Sequence, residues 1–424
     1  MHNDARRSSA HGDAAMTTTR SAASNNNQSE ATERKVRILL VPGFVVDTYS
    51  TIEQNLVELS ANPDIDIEFL WLVPEISHKH NRFWRPENKA TLVEPVWVPH
   101  VRHHGIPYVV GNVSKYNLLS NFLLFRDIFR KNRIDAVYTN FGFERFWAAF
   151  FGKLFGKVVI WHERWHSLGT RYVLPKRLFY RFFVDEFIAI SNFIAGTLPR
   201  GRRVHTILNA TRSDVPMRLD PKKASELRQR LGVSDDIKIV LMIANFRAWK
   251  RHMLAFEVCE RVLKQWADVA FVFLGEGEVR SPFLARVKSA GLDRHVIAPG
   301  YVDNVDDYYE IADISILTSY YEPFGNVVLE AMRHTVPVVA FDTGGPAEVI
   351  RNGETGFLAK DGDTAEFAQR ILDLMEDPEL RTAMGERGRQ VVQLEYSRER
   401  WIKRINALLR DIVFEYRKSS PHNA

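Results

Sequence analysis

Cysteine is almost missing. Cys259 is the only one in 424 residues. It can form no internal disulfide, and inside the helical pattern "AFEVCERVL" a lone cysteine is usually packing. A reducing compartment is therefore expected, and with it a cytoplasmic chain. No uninterrupted apolar run is long enough to cross a bilayer. The nearest, "FWAAFFGKLFGKVVIW", is broken by Lys153 and Lys157 and holds two glycines. Residues 1–34 have almost no large apolar side chains and no secretory h-region, and are expected to be a disordered tail. Strong charge of one sign is also lacking. The net charge is only +5, which suits a partner with phosphate or an anionic surface. No basic low-complexity arm or nucleic-acid motif accompanies it, so nucleic acid is not an expected partner.

What is present is alternation. The length exceeds one compact core, and two domains are expected. Short β-rich runs, "RILLVP", "IDIEFLWLV", "IDAVYTN", "KVVIWH", "EFIAIS" and "RVHTIL", alternate with helix-period segments such as "TIEQNLVELSA". After the polar stretch "DPKKASELRQRLGV" a second series begins: "IKIVLMIAN", "VAFVFLGEG", "RHVIAPGYV", "ADISILTS", "VPVVAFD", "TGFLAK". Such alternation implies parallel sheets with helices on both faces. The expected fold is α/β, with two Rossmann-like doubly wound domains facing a cleft and a C-terminal helical tail. The expected bounds are 35–215 for the first domain and 216–395 for the second. A helix over 396–424 is expected to pack back toward the first. Thr364 to Tyr416 reads as helical throughout.

The second half carries the chemistry. In "ADISILTSYYEPFGNVVLEAMRHTVPVVAFDTGGPAEVIRNGETGFL", a buried strand is interrupted by Pro323, Phe324 and Gly325, and a helix opens near Asn326. A helix N-terminus at the carboxyl end of a strand can hold phosphate. Glu322 and Glu330 make little sense beside an anion as phosphate ligands, but they can accept hydrogen bonds from sugar hydroxyls. Gly344-Gly345-Pro346 opens a second helix beside the first. Surface glutamates are the plainer reading of each residue alone, but the ordered arrangement weighs against it.

E-P-F-G with Glu at the eighth position, followed by "PVVA...GGPAEVI..GETGFL", resembles the retaining glycosyltransferases of family four (glycosyl transferases group 1). The resemblance is strong over about Ile237 to Tyr396 and implies the GT-B fold with a nucleotide-diphosphate sugar in the cleft. By that resemblance Glu322 binds donor-sugar hydroxyls and Glu330 the ribose. Backbone groups of Phe324, Gly325 and Asn326 meet sugar and diphosphate. In "MIANFRAWKRH", Arg247 and Lys250 hold the leaving diphosphate, where positive charge stabilises the charge that develops. Many members place the Arg earlier, where this chain has Asn245. Tyr301 and Val302 lie near the base. The G-x-G at Gly275 and Gly277 is a tight turn lining the cleft. In the first half Gly43 approaches the donor with backbone, and His162 sits beside the donor sugar and reaction centre. "VDEFIAISNFI" and "HTILNA" match strands ending in Ser191 and Asn209. No metal or other cofactor is implied. The transfer would serve polysaccharide or glycolipid assembly, on a carbohydrate or lipid-linked acceptor.

Other patterns compete. "WHERWH" matches H-E-x-x-H, in which His162 and His166 would bind zinc one helical turn apart, with Glu163 as base. The preceding "VVIW" favours a strand up to His162 instead. A catalytically silent nucleotide-binding protein of the same fold is a further alternative. His100, His103 and His104 read as an exposed loop rather than a metal cluster, and Asp361-Gly362-Asp363 as a turn. "RYVLPKRLFYRFF" mixes four basic residues with five aromatic ones. Packing on the sheet explains that mixture, and so does an interfacial helix on anionic lipid at the inner face of a membrane.

Overall fold

A computed structural model describes residues 35–42, 51–73, 95, 97–111, 113–140, 142–165, 173–212, 214 and 219–419. The tail expected at 1–34, Gly43 and His166 lie outside the described residues. The first half runs β1 (Val36–Val41), α1 (Thr51–Ala61), β2 (Ile67–Val73), α2 (Val98–His103), β3 (Tyr108–Val110), α3 (Leu118–Asn132), β4 (Ala136–Thr139), α4 (Glu144–Leu154), β5 (Val158–Glu163), α5 (Val173–Phe183), β6 (Glu186–Ala189), α6 (Asn192–Ala195) and β7 (Arg203–Thr206). The second runs α7 (Pro221–Leu231), β8 (Lys238–Ile243), a 3-10 turn (Ala248–Lys250), α8 (His252–Leu263), β9 (Val269–Leu274), α9 (Arg280–Ser289), β10 (Val296–Gly300), α10 (Asp306–Ile311), β11 (Ile314–Leu317), α11 (Asn326–Arg333), β12 (Val338–Phe341), α12 (Pro346–Val349) and β13 (Gly356–Ala359). Three helices follow: α13 (Thr364–Glu376), α14 (Pro378–Glu395) and α15 (Arg398–Ser419).

The strands form two parallel sheets, ordered β3-β2-β1-β4-β5-β6-β7 and β10-β9-β8-β11-β12-β13. Runs such as "VRILLV" and "VAFVFL" are apolar at every position because helices cover both faces. Side chains alternate across the sheet. Ile38 and Leu40 pack with α1 and α15, while Leu39 and Val41 pack with α3 and α4. Each sheet winds outward from its first strand and then reverses. The switch points therefore lie between β1 and β4 and between β8 and β11, where doubly wound sheets bind ligands.

α15 packs onto the first sheet. Trp401, Ile405, Leu409 and Val413 recur every four residues and join the cluster of Val36, Ile38, Leu40 and Leu56. Arg417 reaches Asp135 at 2.8 Å, and the Arg398 Nε donates to Asn55 at 2.7 Å.

One local expectation, the histidine loop, differs from the structure. The tail is helical as expected but broken into separate helices. Asp377 ends α13 and its carboxylate accepts the Leu380 N–H at 2.8 Å, while Pro378 occupies the next helix's first turn. His100 and His103 belong to the short helix α2, with His104 capping it, rather than to a loop. β3 is a three-residue edge strand, too short for its alternation to stand out. On α5, Phe179, Tyr180 and Phe183 pack inward, whereas Leu178, Phe182, Arg177 and Arg181 face solvent. Packing on the sheet therefore accounts for the inward-facing aromatic residues of that segment.

Candidate functional site

The loops that follow β8 and β11 are stitched together at the second switch point. Tyr320 N–H donates to the Trp249 carbonyl at 3.1 Å, and the Thr318 hydroxyl donates to the Lys250 carbonyl at 2.8 Å. These bonds bring Lys250 Nζ onto the Glu322 carboxylate, which also accepts from the Ser319 hydroxyl at 3.3 Å. Both charged side chains are mostly buried, at 16% and 13% exposure, so their partnership is only lightly screened by solvent.

Glycines set the walls. The Gly345 N–H donates to the Glu322 carbonyl at 2.8 Å. A Cβ on Gly345 would lie 2.2 Å from Phe324 Cα, and one on Gly344 would lie 2.5 Å from the Glu322 carbonyl. The G-G-P turn is thus clamped on the E-P-F-G turn, backbone to backbone. Gly325, at φ +89°, opens α11 at Asn326. Gly275 and Gly277 press in the same way on the loop after β8, where a Cβ would come within 2.3 Å of the Ala244 and Phe246 carbonyls. Their G-x-G is a packing device rather than a dinucleotide fingerprint.

The remaining candidates spread around this centre. Arg247 is half-exposed and ion-paired with Glu278, so it stands at the rim beside Gly277. Tyr301 is exposed beyond β10, and Val302 packs on the core. Glu330, on the first two turns of α11, neighbours the buried Tyr309. Burial first and Glu330 second push that phenol's pKa up.

In the first half, β5 carries His162 and Glu163 on opposite faces of a strand. The helical geometry that H-E-x-x-H zinc sites require is therefore absent. Glu163 is held by Tyr180 (2.8 Å), Trp161 (3.2 Å) and Arg145 (3.3 Å), which fixes it as a structural anchor. His162 Nδ1 meets the Tyr138 hydroxyl. Burial, then the Arg164 charge, holds the imidazole pKa well below its ordinary value, so the ring is neutral. Among the described residues no hydrogen bond or ring contact joins His162 to Lys250 or Glu322. The link runs through Trp165, which packs on Trp249 (5.8 Å) and Tyr321 (5.3 Å), the chain neighbours of that pair.

Other contacts close the cleft. Ser191 and Asn209, expected at strand ends, lie in the loops beyond β6 and β7. The Ser191 hydroxyl donates to the Pro323 carbonyl at 2.6 Å, and Asn209 reaches Asn326 at 3.2 Å. Glu348 receives N–H groups from Asn192 (2.8 Å) and Phe193 (2.6 Å) at the start of α6. Sequence reasoning passed over Glu348, Trp165, Arg164 and Glu53. Only Glu348 carried a signal, since it lies inside the G-G-P-A-E stretch.

Residues 223–391 match the family model of glycosyl transferases group 1. That segment is similar to group 1 glycosyltransferase domains. It holds Arg247, Lys250, Glu322 and Glu330. The chain is 32% identical over 189 residues to N-acetyl-alpha-D-glucosaminyl L-malate synthase of Bacillus anthracis, covering 45% of this chain and 49% of that protein. It is 30% identical over 177 residues to alpha-D-kanosaminyltransferase of Streptomyces kanamyceticus, covering 41% and 46%. The chain spans about half the length of the curated relatives it matches. Among solved structures, a glycosyltransferase of Rickettsia africae superposes with a TM-score of 0.74 at 19% identity, covering 91% of this chain and all of that one. Anabaena HepE in complex with UDP and glucose gives 0.71 at 19%, covering 89% and 100%. The matched segment is thus one half of a GT-B fold.

Proposed function

We propose that the protein is a retaining glycosyltransferase that moves a sugar from a nucleotide-diphosphate sugar to an acceptor hydroxyl. The Lys250–Glu322 pair, clamped at the switch point of the group 1 domain beside the start of α11, carries the reading. Glu322 takes hydroxyls of the donor sugar. Lys250, the α11 N-terminus and, from the rim, Arg247 take the diphosphate, so the charge that develops on departure is met without a resident metal. Backbone groups of Phe324, Gly325 and Asn326 complete the sugar and diphosphate contacts, with Gly43 approaching from the first domain. Glu330 takes the ribose, and Tyr301 and Val302 flank the base. His162 lies beside the donor sugar. Attack comes from the face the leaving group departs, and the departing phosphate oxygen takes the acceptor's proton.

A role in polysaccharide or glycolipid assembly at the inner face of a membrane completes the proposal. It is supported by Leu118, Leu119 and Leu123 on α3, and by Leu178 and Phe182 beside Arg177 and Arg181 on α5. These side chains are exposed on helices covering one face of the first sheet. A thermal-shift screen with UDP, GDP and ADP sugars tests the donor site, since a bound ligand raises the melting temperature by mass action. Lys250→Ala and Glu322→Ala should each lower transfer by about 100-fold or more. Full transfer in either variant overturns the site.

A further inference from the structure

At the first switch point the protein holds a polar cluster of which the donor reading uses only His162. Tyr138 comes from β4, His162 from the end of β5, Arg164 from the loop beyond it, and Glu53 from the first turn of α1. His162 and Arg164 are at least nine-tenths buried. The Tyr138 phenol stays protonated, because burial raises its pKa. Its hydrogen has one described hydrogen-bond partner, His162 Nδ1. The proton of the neutral imidazole therefore resides on Nε2, and among the described residues Nε2 has no partner. Arg164 is unsatisfied as well. Among the described residues its nearest carboxylate, on Glu53, stands 3.9 Å from Nη1, while Nε and Nη2 have no partner. Burial lowers the guanidinium pKa only to about 10, so it remains a cation at neutral pH.

Among the described residues three buried N–H donors thus have no acceptor, and they belong to two side chains close enough for the Arg164 charge to act on the imidazole. Each would cost roughly 1–3 kcal/mol if left unpaired, and a half-met cation costs more. Water could accept from these donors, but an oxyanion would supply counter-charge as well. We propose that His162 Nε2 and Arg164 Nε and Nη2 bind a carboxylate or phosphate group of the glycosyl acceptor, making this an enzyme for an anionic acceptor. The inference rests on the glycosyltransferase reading. The donor diphosphate is the other source of the same chemistry. The acceptor is favoured because Lys250, Arg247 and the α11 N-terminus already serve the donor from the opposite domain, whereas Arg164 belongs to the first. A guanidinium suits such a group because its planar fork matches an oxyanion.

The test saturates the full-length protein with the nucleoside diphosphate that the donor screen selects, then titrates inorganic phosphate and malonate at constant ionic strength by calorimetry. Wild-type protein should still bind one of the two. Arg164→Gln should weaken that binding by roughly ten- to a hundredfold while leaving nucleoside diphosphate affinity intact. Equal anion affinity in wild type and variant overturns the proposal, and so does loss of nucleoside diphosphate affinity in Arg164→Gln. Should Arg164→Gln not fold, Glu53→Gln/Arg164→Met removes the pair together, with the same outcomes expected. Wild type also serves alone, since competition between phosphate and the nucleoside diphosphate for one site overturns the acceptor assignment. If no nucleoside diphosphate binds at all, the glycosyltransferase reading fails first, and that result is distinct from a missing anion response.

Discussion

Gly345→Ala should damage the protein although its backbone welcomes alanine. Gly345 sits at φ −65° and ψ −36°, ordinary right-handed helical values. By chain entropy alone, alanine there should stabilise by about 0.4–1 kcal/mol. The obstacle is steric. The new Cβ would lie 2.2 Å from Phe324 Cα, 2.6 Å from its N and 2.7 Å from its carbonyl carbon. These are backbone atoms, so no rotamer change relieves the contact, and the turns must separate by roughly 1.3–1.8 Å to reach van der Waals distance. Phe324 cannot retreat, because it is 2% exposed and packed near Tyr396. Overpacking of this kind costs about 1–3 kcal/mol. The E-P-F-G turn carries Glu322, and a 1 Å displacement of a positioned group can cost on the order of 100-fold in rate. Thermal unfolding reads the first effect and transfer from the screened donor reads the second. Gly196→Ala is the control, since its Cβ would meet the Asn192 carbonyl at an ordinary 3.5 Å. An unchanged melting temperature and unchanged transfer in Gly345→Ala would refute the clamp.

Further expectations concern charge. Glu144, in the first turn of α4, has its carboxyl pKa raised from 4.5 to about 7 by burial. The unfolded chain ionises first, so this group's stabilising share is full below pH 4.5. It shrinks as pH rises to 7 and is gone above that, a loss of about 3 kcal/mol. Denaturant unfolding between pH 5 and 8 should show that slope, and Glu144→Gln should flatten it. Glu348→Ala strips the two N–H groups opening α6 of their partner across the cleft. Contact between the halves should weaken by roughly 1–3 kcal/mol, read by small-angle scattering as a larger radius of gyration. An unaltered profile would mean that Ser191 and the aromatic contacts suffice. Asp306 is held well below the usual carboxylate range, chiefly by its hydrogen bond to His334. Its contribution is present at neutral pH and fades as the medium is acidified, so Asp306→Asn should cost most above pH 5, in melting temperature.

The fold was legible because parallel strands buried on both faces leave unbroken apolar runs, and "VRILLV" or "VAFVFL" admit little else. The second-half site was legible for a local reason. E-P-F-G, Glu330 and G-G-P lie within one stretch, where spacing along the chain is nearly spacing in the fold. The first-half site was not. Glu53, Tyr138, His162 and Arg164 come from separate elements brought together only by strand order. H-E-x-x-H was outweighed by the β-branched run before it, and β5 indeed puts adjacent residues on opposite faces. The break at Asp377 was readable from Asp-Pro, yet the amphipathic periodicity on either side outweighed it. Trp165 carried no pattern, since its partners Trp249 and Tyr321 lie in the other half.

The return of α15 to the first sheet bears on how the chain is made. Trp401, Ile405 and Leu409 supply part of the core that Val36 and Ile38 begin. About 210 residues separate the end of β7 from the end of α15. At a ribosomal pace of about 5–20 residues per second, the first-synthesised half waits roughly ten to forty seconds for its last wall. During that interval the face of β1 destined for α15 is bare while the group 1 domain forms downstream. The earliest half to emerge is therefore the latest to finish, and a nascent chain stalled before Arg398 should be the form that chaperones hold.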